Sequence, residues 1–211
     1  MADLQIDAAS GQWLTTIFLL INGIMIPCTA YLMARFTTRD LYLLAMLIFG
    51  VGSLCAGFSH SFAMLLLARV LQALGFGILM PLLSATVLMV VPISQRGKAM
   101  GLVGLVFSIA PAIAPSAGGL IVDLYGWNAV FLVFAPLIFI DIIVCLFIMP
   151  KGGETTRIPL DKKSVLMSTV GFGGLLYGFS AVGSFGWTSA HVYVPLVVGA
   201  VVVYLFVKRQ G

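Results

Sequence analysis

Charge is absent from this sequence over stretches long enough to decide its fold class. Residues 8–34 hold no Asp, Glu, Lys or Arg over 27 positions, and neither do 41–68 (28), 70–95 (26) and 99–122 (24). Residues 124–150 contain one charge, Asp141, and 164–207 run for 44 residues without any. A helix crosses the hydrocarbon of a bilayer in about 20 apolar residues, so the first five runs each hold one span and the last holds two. The break in the last run is expected at Gly183-Ser184-Phe185-Gly186-Trp187-Thr188-Ser189, a cluster of turn formers. The spans predicted are 13–33, 41–58, 62–90, 99–121, 130–148, 164–182 and 192–207. Transmembrane strands alternate apolar and polar residues over roughly 10 positions, and these runs do not.

Composition removes the competing classes. Hydrophobic residues make up 61% of the chain and charged ones 9%, with a mean hydropathy of +1.15. A soluble domain carries roughly 25% charged residues, so a cytosolic enzyme, a nucleic-acid-binding domain and a disordered chain are excluded. The sequence pI near 9.1 reflects a small excess of 11 Lys+Arg over 7 Asp+Glu, not a nucleic-acid footprint. No HExxH, paired catalytic acids or phosphate loop is present, so the chain reads as no enzyme and no cofactor is expected. The fold class predicted is all-α integral membrane, with seven transmembrane helices.

The position of the basic residues predicts orientation. Arg35 and Arg39, Arg96 and Lys98, Lys151, Arg157, Lys162 and Lys163, and Lys208 and Arg209 fall in one set of loops, and the opposite loops hold none. By the positive-inside rule the first set is cytoplasmic, which puts the N-terminus outside and the C-terminus inside a multi-pass cell-membrane protein. Trp13, Trp127 and Trp187 all fall at outer helix ends, where an indole sits at headgroup level. The first residues, Met1 to Asp7, lack the basic region of a signal peptide, and the chain reads as if it starts in the middle of a larger protein. Cys28, Cys55 and Cys145 lie within spans, which argues against a disulfide framework. His60 and His191 lie far apart in sequence, and no metal site is expected.

Two charges remain inside the hydrocarbon. Arg69 sits roughly 12 Å into the third span at ~1.5 Å per residue, where an Arg costs ~2.5–3.5 kcal/mol on insertion scales and usually faces a bundle interior. The alternative is a structural Arg that satisfies carbonyls of a neighbouring helix. Gln72, at i+3, shares its face and extends a polar cluster. Asp141, near the middle of the fifth span, is read as pairing with Arg69, as carrying a proton itself, or as a protonated acid hydrogen-bonded within the bundle. In the fourth span, Pro111 and Pro115 each remove a helix hydrogen bond and are expected to bend it. The small residues around them, Gly118 and Gly119 included, allow close approach of a second backbone. Gly174 and Gly178 in the sixth span form an ordinary small-residue packing motif.

These motifs resemble the major facilitator superfamily, specifically its fourteen-span drug:proton antiporters. Leu67 to Gly77 (LARVLQALGFG) is similar to the "aRvlQGiGgG" signature of that family's fourth helix, and Pro111–Gly119 resembles the antiporter motif of its fifth. Trp127 to Pro136 (WNAVFLVFAP) is similar to the "WRWiFlinlP" entry to its sixth, and Gln95 to Gly101 to its "RG.am" link. On that resemblance the seven spans correspond to helices two to eight, a partial major facilitator fold lacking the first helix and the C-terminal half. The division implied is an incomplete five-span bundle over 1–149, a cytoplasmic loop over 150–163 and two further spans over 164–211. Departures are present: Ala30, Ala34 and Thr37 replace the glycines and the acid of the cytoplasmic-loop motif that retains Arg35 and Arg39. Ala73 and Phe76 stand where the fourth-helix motif has Gly, and Ser108 and Ala114 where the antiporter motif does.

The resemblance implies proton-coupled export of amphipathic drug-like compounds by alternating access. Arg69, Gln72 and Asp141 are then the proton-coupling or cavity candidates, and Pro111, Pro115, Gly118 and Gly119 form a hinge or seal. The partners implied are the lipid bilayer, protons, a small amphipathic substrate and the missing helices of the same transporter. Two other classes stay open. One is a nonfunctional fragment or a membrane partner of a full transporter. The other is a seven-helix receptor, which is disfavoured because the last span has no Lys for retinal and no cysteine lies at the outer surface.

Overall fold

A computed structural model describes residues 8–150 and 162–210. Among them are seven α-helices: α1 (Ala8–Arg35), α2 (Thr38–Gly57), α3 (Phe62–Val90), α4 (Arg96–Tyr125), α5 (Trp127–Ile148), α6 (Lys162–Phe185) and α7 (Ala190–Gln210), with a 3-10 turn at Ile93–Gln95 before α4. Six of these are long and apolar enough to cross a membrane by themselves, and α1, counted across a bend, is the seventh. The expected number of spans is therefore present. Most of the 150–163 loop, together with Asp3, Asp7, Lys151 and Arg157, lies outside the described residues.

The helices run a few residues past the predicted spans because an absence of charge does not mark where a helix stops. Caps and turns do. The Thr37 side chain accepts from the Asp40 amide at 3.1 Å and starts α2, and Ser61 does the same for α3 through Met64 at 3.3 Å. Gly126 and Gly186 end α4 and α6 at φ 84° and 74°, a region that other L-residues avoid. The turn expected near 183–189 is thus centred on Gly186, immediately before Trp187.

The sharp break falls in α1. α1 turns by 50° between Trp13–Met25 and Cys28–Arg35, at a break that contains Pro27, which has no N–H to donate. α4 runs through Pro111 and Pro115 as one span.

α3 is the axis of the assembly. It packs on α1 and α2, α2 packs on α5, and α6 joins α1 and pairs with α7. Lipid tails are as apolar as Leu, so these contacts depend on close van der Waals approach rather than on escape from water. A Cβ added at Gly75 would lie 2.5 Å from the Ala45 carbonyl oxygen, and one at Gly52 would lie 2.8 Å from the Gln72 amide nitrogen. The α6–α7 pair is comparably close: a Cβ at Gly199 would meet the Leu175 nitrogen at 2.7 Å and the Gly171 oxygen at 2.8 Å, and one at Gly174 the Pro195 oxygen at 2.8 Å. The Gly174/Gly178 motif is accordingly a packing seam between α6 and α7.

The same substitution should have opposite signs in two helices. Gly199→Ala pushes backbone against backbone and is expected to destabilise the chain by about 1–3 kcal/mol, the range for overpacking. Gly104→Ala in α4 meets nothing within 4 Å and should be neutral or stabilising by up to ~1 kcal/mol through helix propensity. Unfolding midpoints of the two variants in detergent check both signs.

Candidate functional site

Arg69 lies on the α3 face turned toward α1, α2 and α5. Its guanidinium carbon is 5.7 Å from the Phe18 ring centroid and 5.4 Å from that of Phe131. Aromatic faces replace part of the lost hydration of a cation, by about 0.5–2 kcal/mol each. One Nη donates to the Gln72 Oε1 at 3.4 Å, while the buried Nε has no partner. The expected Arg69–Gln72 cluster is therefore formed, and α2 extends it. Gln72 Nε2 donates to the Ser53 hydroxyl at 2.9 Å, which in turn donates to the Phe49 carbonyl at 3.0 Å. This chain of bonds fixes which end of the Gln72 amide faces the guanidinium. The cluster borders a cavity of about 280 Å³ whose other walls include Phe49, Phe76, Val130 and Phe134. Chemically it is an apolar, aromatic chamber with one cationic donor that retains an unfilled hydrogen-bonding position.

Asp141 is elsewhere. It lies about 10 Å along α5 from Phe134 at ~1.5 Å per residue, and Tyr42 on α2 donates to its Oδ2 at 2.5 Å. No ion pair joins it to Arg69, so the pairing reading is not formed; Asp141 is instead hydrogen-bonded across the bundle to Tyr42. The reason is lateral placement: Tyr42 and Asp141 face each other across the α2–α5 seam, nearer the helix ends that carry Arg35 and Arg39. Tyr42 also borders a second cavity of about 390 Å³, lined with Met80, Thr86, Phe107 and Met149 among others.

The remaining sequence candidates disperse. Arg35 is exposed and donates to the Tyr31 hydroxyl at 2.6 Å. Arg39 belongs to the first turn of α2 instead of the loop; it is buried and donates to the Leu146 carbonyl at 2.8 Å, which ties α2 to α5. Pro111, Pro115 and Gly119 are exposed on α4 and Gly118 is half-buried, with nothing within 4 Å of a Cβ at either glycine. They do not join the Arg69 cavity. Sequence reasoning missed Ser53, Tyr42 and the Phe18/Phe131 cage. A run of apolar residues does not reveal which of its aromatic rings faces a charge on another helix, but Ser53 and Tyr42 were visible as polar positions within the second span.

The sequence profile of the Major Facilitator Superfamily matches residues 1–209. The chain is 47% identical over its full length to YcnB of Bacillus subtilis, an uncharacterised MFS-type transporter, and covers 44% of that protein. It is 42% identical over its full length to the lincomycin resistance protein LmrB of the same species, again covering 44% of it. The lincomycin resistance protein of Listeria monocytogenes is 41% identical over 97% of this chain, which covers 44% of that relative. The chain thus spans less than half the length of these relatives.

The two polar clusters make separable demands on stability. Ser53→Ala leaves the buried Gln72 amide without its acceptor, and Tyr42→Phe leaves Asp141 without its donor. Each is expected to destabilise the chain by about 1–3 kcal/mol, the usual range for orphaning a buried polar group. Asp141→Asn keeps an acceptor for Tyr42 and should lie closer to wild type than Tyr42→Phe. Unfolding midpoints in detergent rank the three, and Tyr42→Phe at wild-type stability would remove the Tyr42–Asp141 bond as a structural tie.

Proposed function

The chain belongs to the major facilitator superfamily, and from that premise we propose that it serves in proton-coupled export of amphipathic, drug-like compounds by alternating access. The observation that carries this reading is the half-buried Arg69, held by Gln72 and two aromatic rings at the edge of an apolar cavity. A cation in that setting favours the ionised form of any carboxylate brought near it and so responds to proton binding there. Its unpartnered Nε leaves room for such a partner. The aromatic walls suit an apolar compound, and the relatives named for lincomycin resistance support a drug as cargo.

In this reading residues 1–149 form part of one transporter bundle, 150–163 a cytoplasmic loop and 164–211 two further spans. The N-terminus faces outward and the C-terminus the cytoplasm of a cell membrane. Alternating access rocks two bundles about a midplane site, and the chain spans less than half of its relatives. Further helices like theirs are therefore required partners, along with protons and the amphipathic substrate. The exposed Pro111–Gly119 face of α4 provides a small-residue surface for the opposite bundle to seal against. Asp141, bonded to Tyr42 away from Arg69, has a weaker claim on proton coupling than Arg69 does.

Two measurements test this. In a complete transporter carrying this segment, Arg69→Ala should reduce proton-driven drug efflux to background while membrane insertion is retained; unchanged efflux would remove Arg69 from the mechanism. The purified 211-residue chain in proteoliposomes with a proton gradient should move no drug above protein-free vesicles. Transport above that level would overturn the requirement for further helices, whereas a chain that binds and modulates a full transporter would favour the membrane-partner reading.

A further inference from the structure

One face of α3 passes along both cavities. Arg69, Gln72, Phe76, Met80 and Leu83 recur every three or four residues, the spacing of a single helical stripe. The first three border the 280 Å³ cavity and the last three the 390 Å³ cavity, so Phe76 is the one residue common to both linings. Its ring packs on Phe18 of α1, with centroids 5.7 Å apart at 41°, and Phe18 is also one of the rings facing the Arg69 guanidinium. The backbone at this level has little freedom. A Cβ at Gly75 would lie 2.5 Å from Ala45 of α2, and one at Gly77 would lie 2.6 Å from Met25 of α1. Movement at position 76 is therefore left to the ring itself, by rotation about its own side-chain bonds, and not to displacement of α3.

We propose that Phe76 is a specificity-determining partition, dividing a path along α3 into an Arg69 chamber and a Tyr42 chamber and limiting the size of the compound that either admits. Pockets for drug-sized ligands occupy roughly 300–1,000 Å³. The Arg69 chamber falls just below that range and the Tyr42 chamber near its lower end, whereas the two joined lie well within it. An amphipathic compound larger than one chamber passes only when the ring turns aside. The residue type matters here, because the fourth-helix signature that this stretch resembles has Gly at this position and would leave the path undivided. The cargo named in this inference rests on the exporter reading; the partition rests on the geometry.

Cysteine labelling tests it without any transport. The 211-residue chain carries Cys28→Ala, Cys55→Ala and Cys145→Ala, with a single reporter at Val130→Cys in the Arg69 chamber or Thr86→Cys in the Tyr42 chamber. A membrane-impermeant methanethiosulfonate bearing a sulfonate is applied to vesicles from the face at which Thr86→Cys reacts. Adding Phe76→Ala should speed modification of Val130→Cys from that face by about tenfold or more, equivalent to ~1.4 kcal/mol in the barrier. Phe76→Leu should fall between, and the Thr86→Cys rate should not move. Should Phe76→Ala fail to fold, Phe76→Leu, which keeps most of the apolar bulk, decides the matter. Equal rates with Phe or its replacement at position 76 would overturn the partition, as would a Thr86→Cys that reacts from neither face. Loss of the exporter reading by the efflux tests leaves this outcome untouched, and unchanged labelling leaves that reading untouched.

Discussion

A polar group in hydrocarbon has no water to return to, and most polar side chains deep in this bundle are placed by that constraint. Thr29 donates back to the Met25 carbonyl in its own helix and lies 3.2 Å from the Gly77 oxygen of α3. Ser53, Thr86 and Thr169 each donate to the carbonyl four residues earlier. These bonds close within one helix and cost nothing in assembly. The ones that cross between helices do more: Gln72 to Ser53 joins α3 to α2, while Tyr42 to Asp141 and Arg39 to Leu146 join α2 to α5. Asn128 to the Gly57 carbonyl, at 2.9 Å, closes the other end of the α2–α5 seam. Helix order in the lipid is thus fixed by directed bonds at a few points, with glycine contacts between them allowing the backbones to come close enough to make those bonds.

Arg69 differs from most of the rest because its requirements are not fully met; the Ser168 hydroxyl of α6 is likewise buried without a partner. The aromatic rings and Gln72 take up part of the desolvation of the guanidinium, but Nε remains without an acceptor. Arg39 also has a bare Nε, yet it sits in the first turn of α2, close to where headgroups and water begin. The same chemical defect therefore has different weight at the two depths. A buried donor left open in the middle of a span is consistent with a group that exchanges partners, whereas one at the rim is readily completed by solvent.

How much of this could be read in advance depends on whether the information was local. Gaps in charge are local, and they gave seven spans in the right places. The i, i+3 relation of Arg69 and Gln72 is also local, and the two do meet. Asp141 shows where local reading fails. Depth along a span follows from counting residues, but which helix a side chain faces follows from packing, and packing put Tyr42 opposite Asp141 from 99 positions away. The bend went the same way. Prolines in α1 and α4 are equivalent in sequence terms, but the sharp break fell in α1, which is packed on both α3 and α6, and not in α4, whose residues all keep some exposure.

Exposure in this molecule has to be interpreted by composition, because lipid does not penalise it. Phe147 and Ile148 of α5 are 86% and 73% exposed, and α4 has no buried residue over its whole length. In water both would be anomalies that demanded a partner. In a bilayer large aliphatic and aromatic side chains are at home against acyl chains, so the outward residues of α5 need none. The α4 stretch is of another kind: Ser108, Pro111, Ala114, Pro115 and Gly119 offer little area to lipid and leave the backbone accessible. Within α2–α3 and α6–α7, surfaces of that composition are the ones in direct helix contact. By the same physics, the small-residue face of α4 is better suited to another helix than to lipid, while the Leu and Phe surface of α5 is complete as it stands.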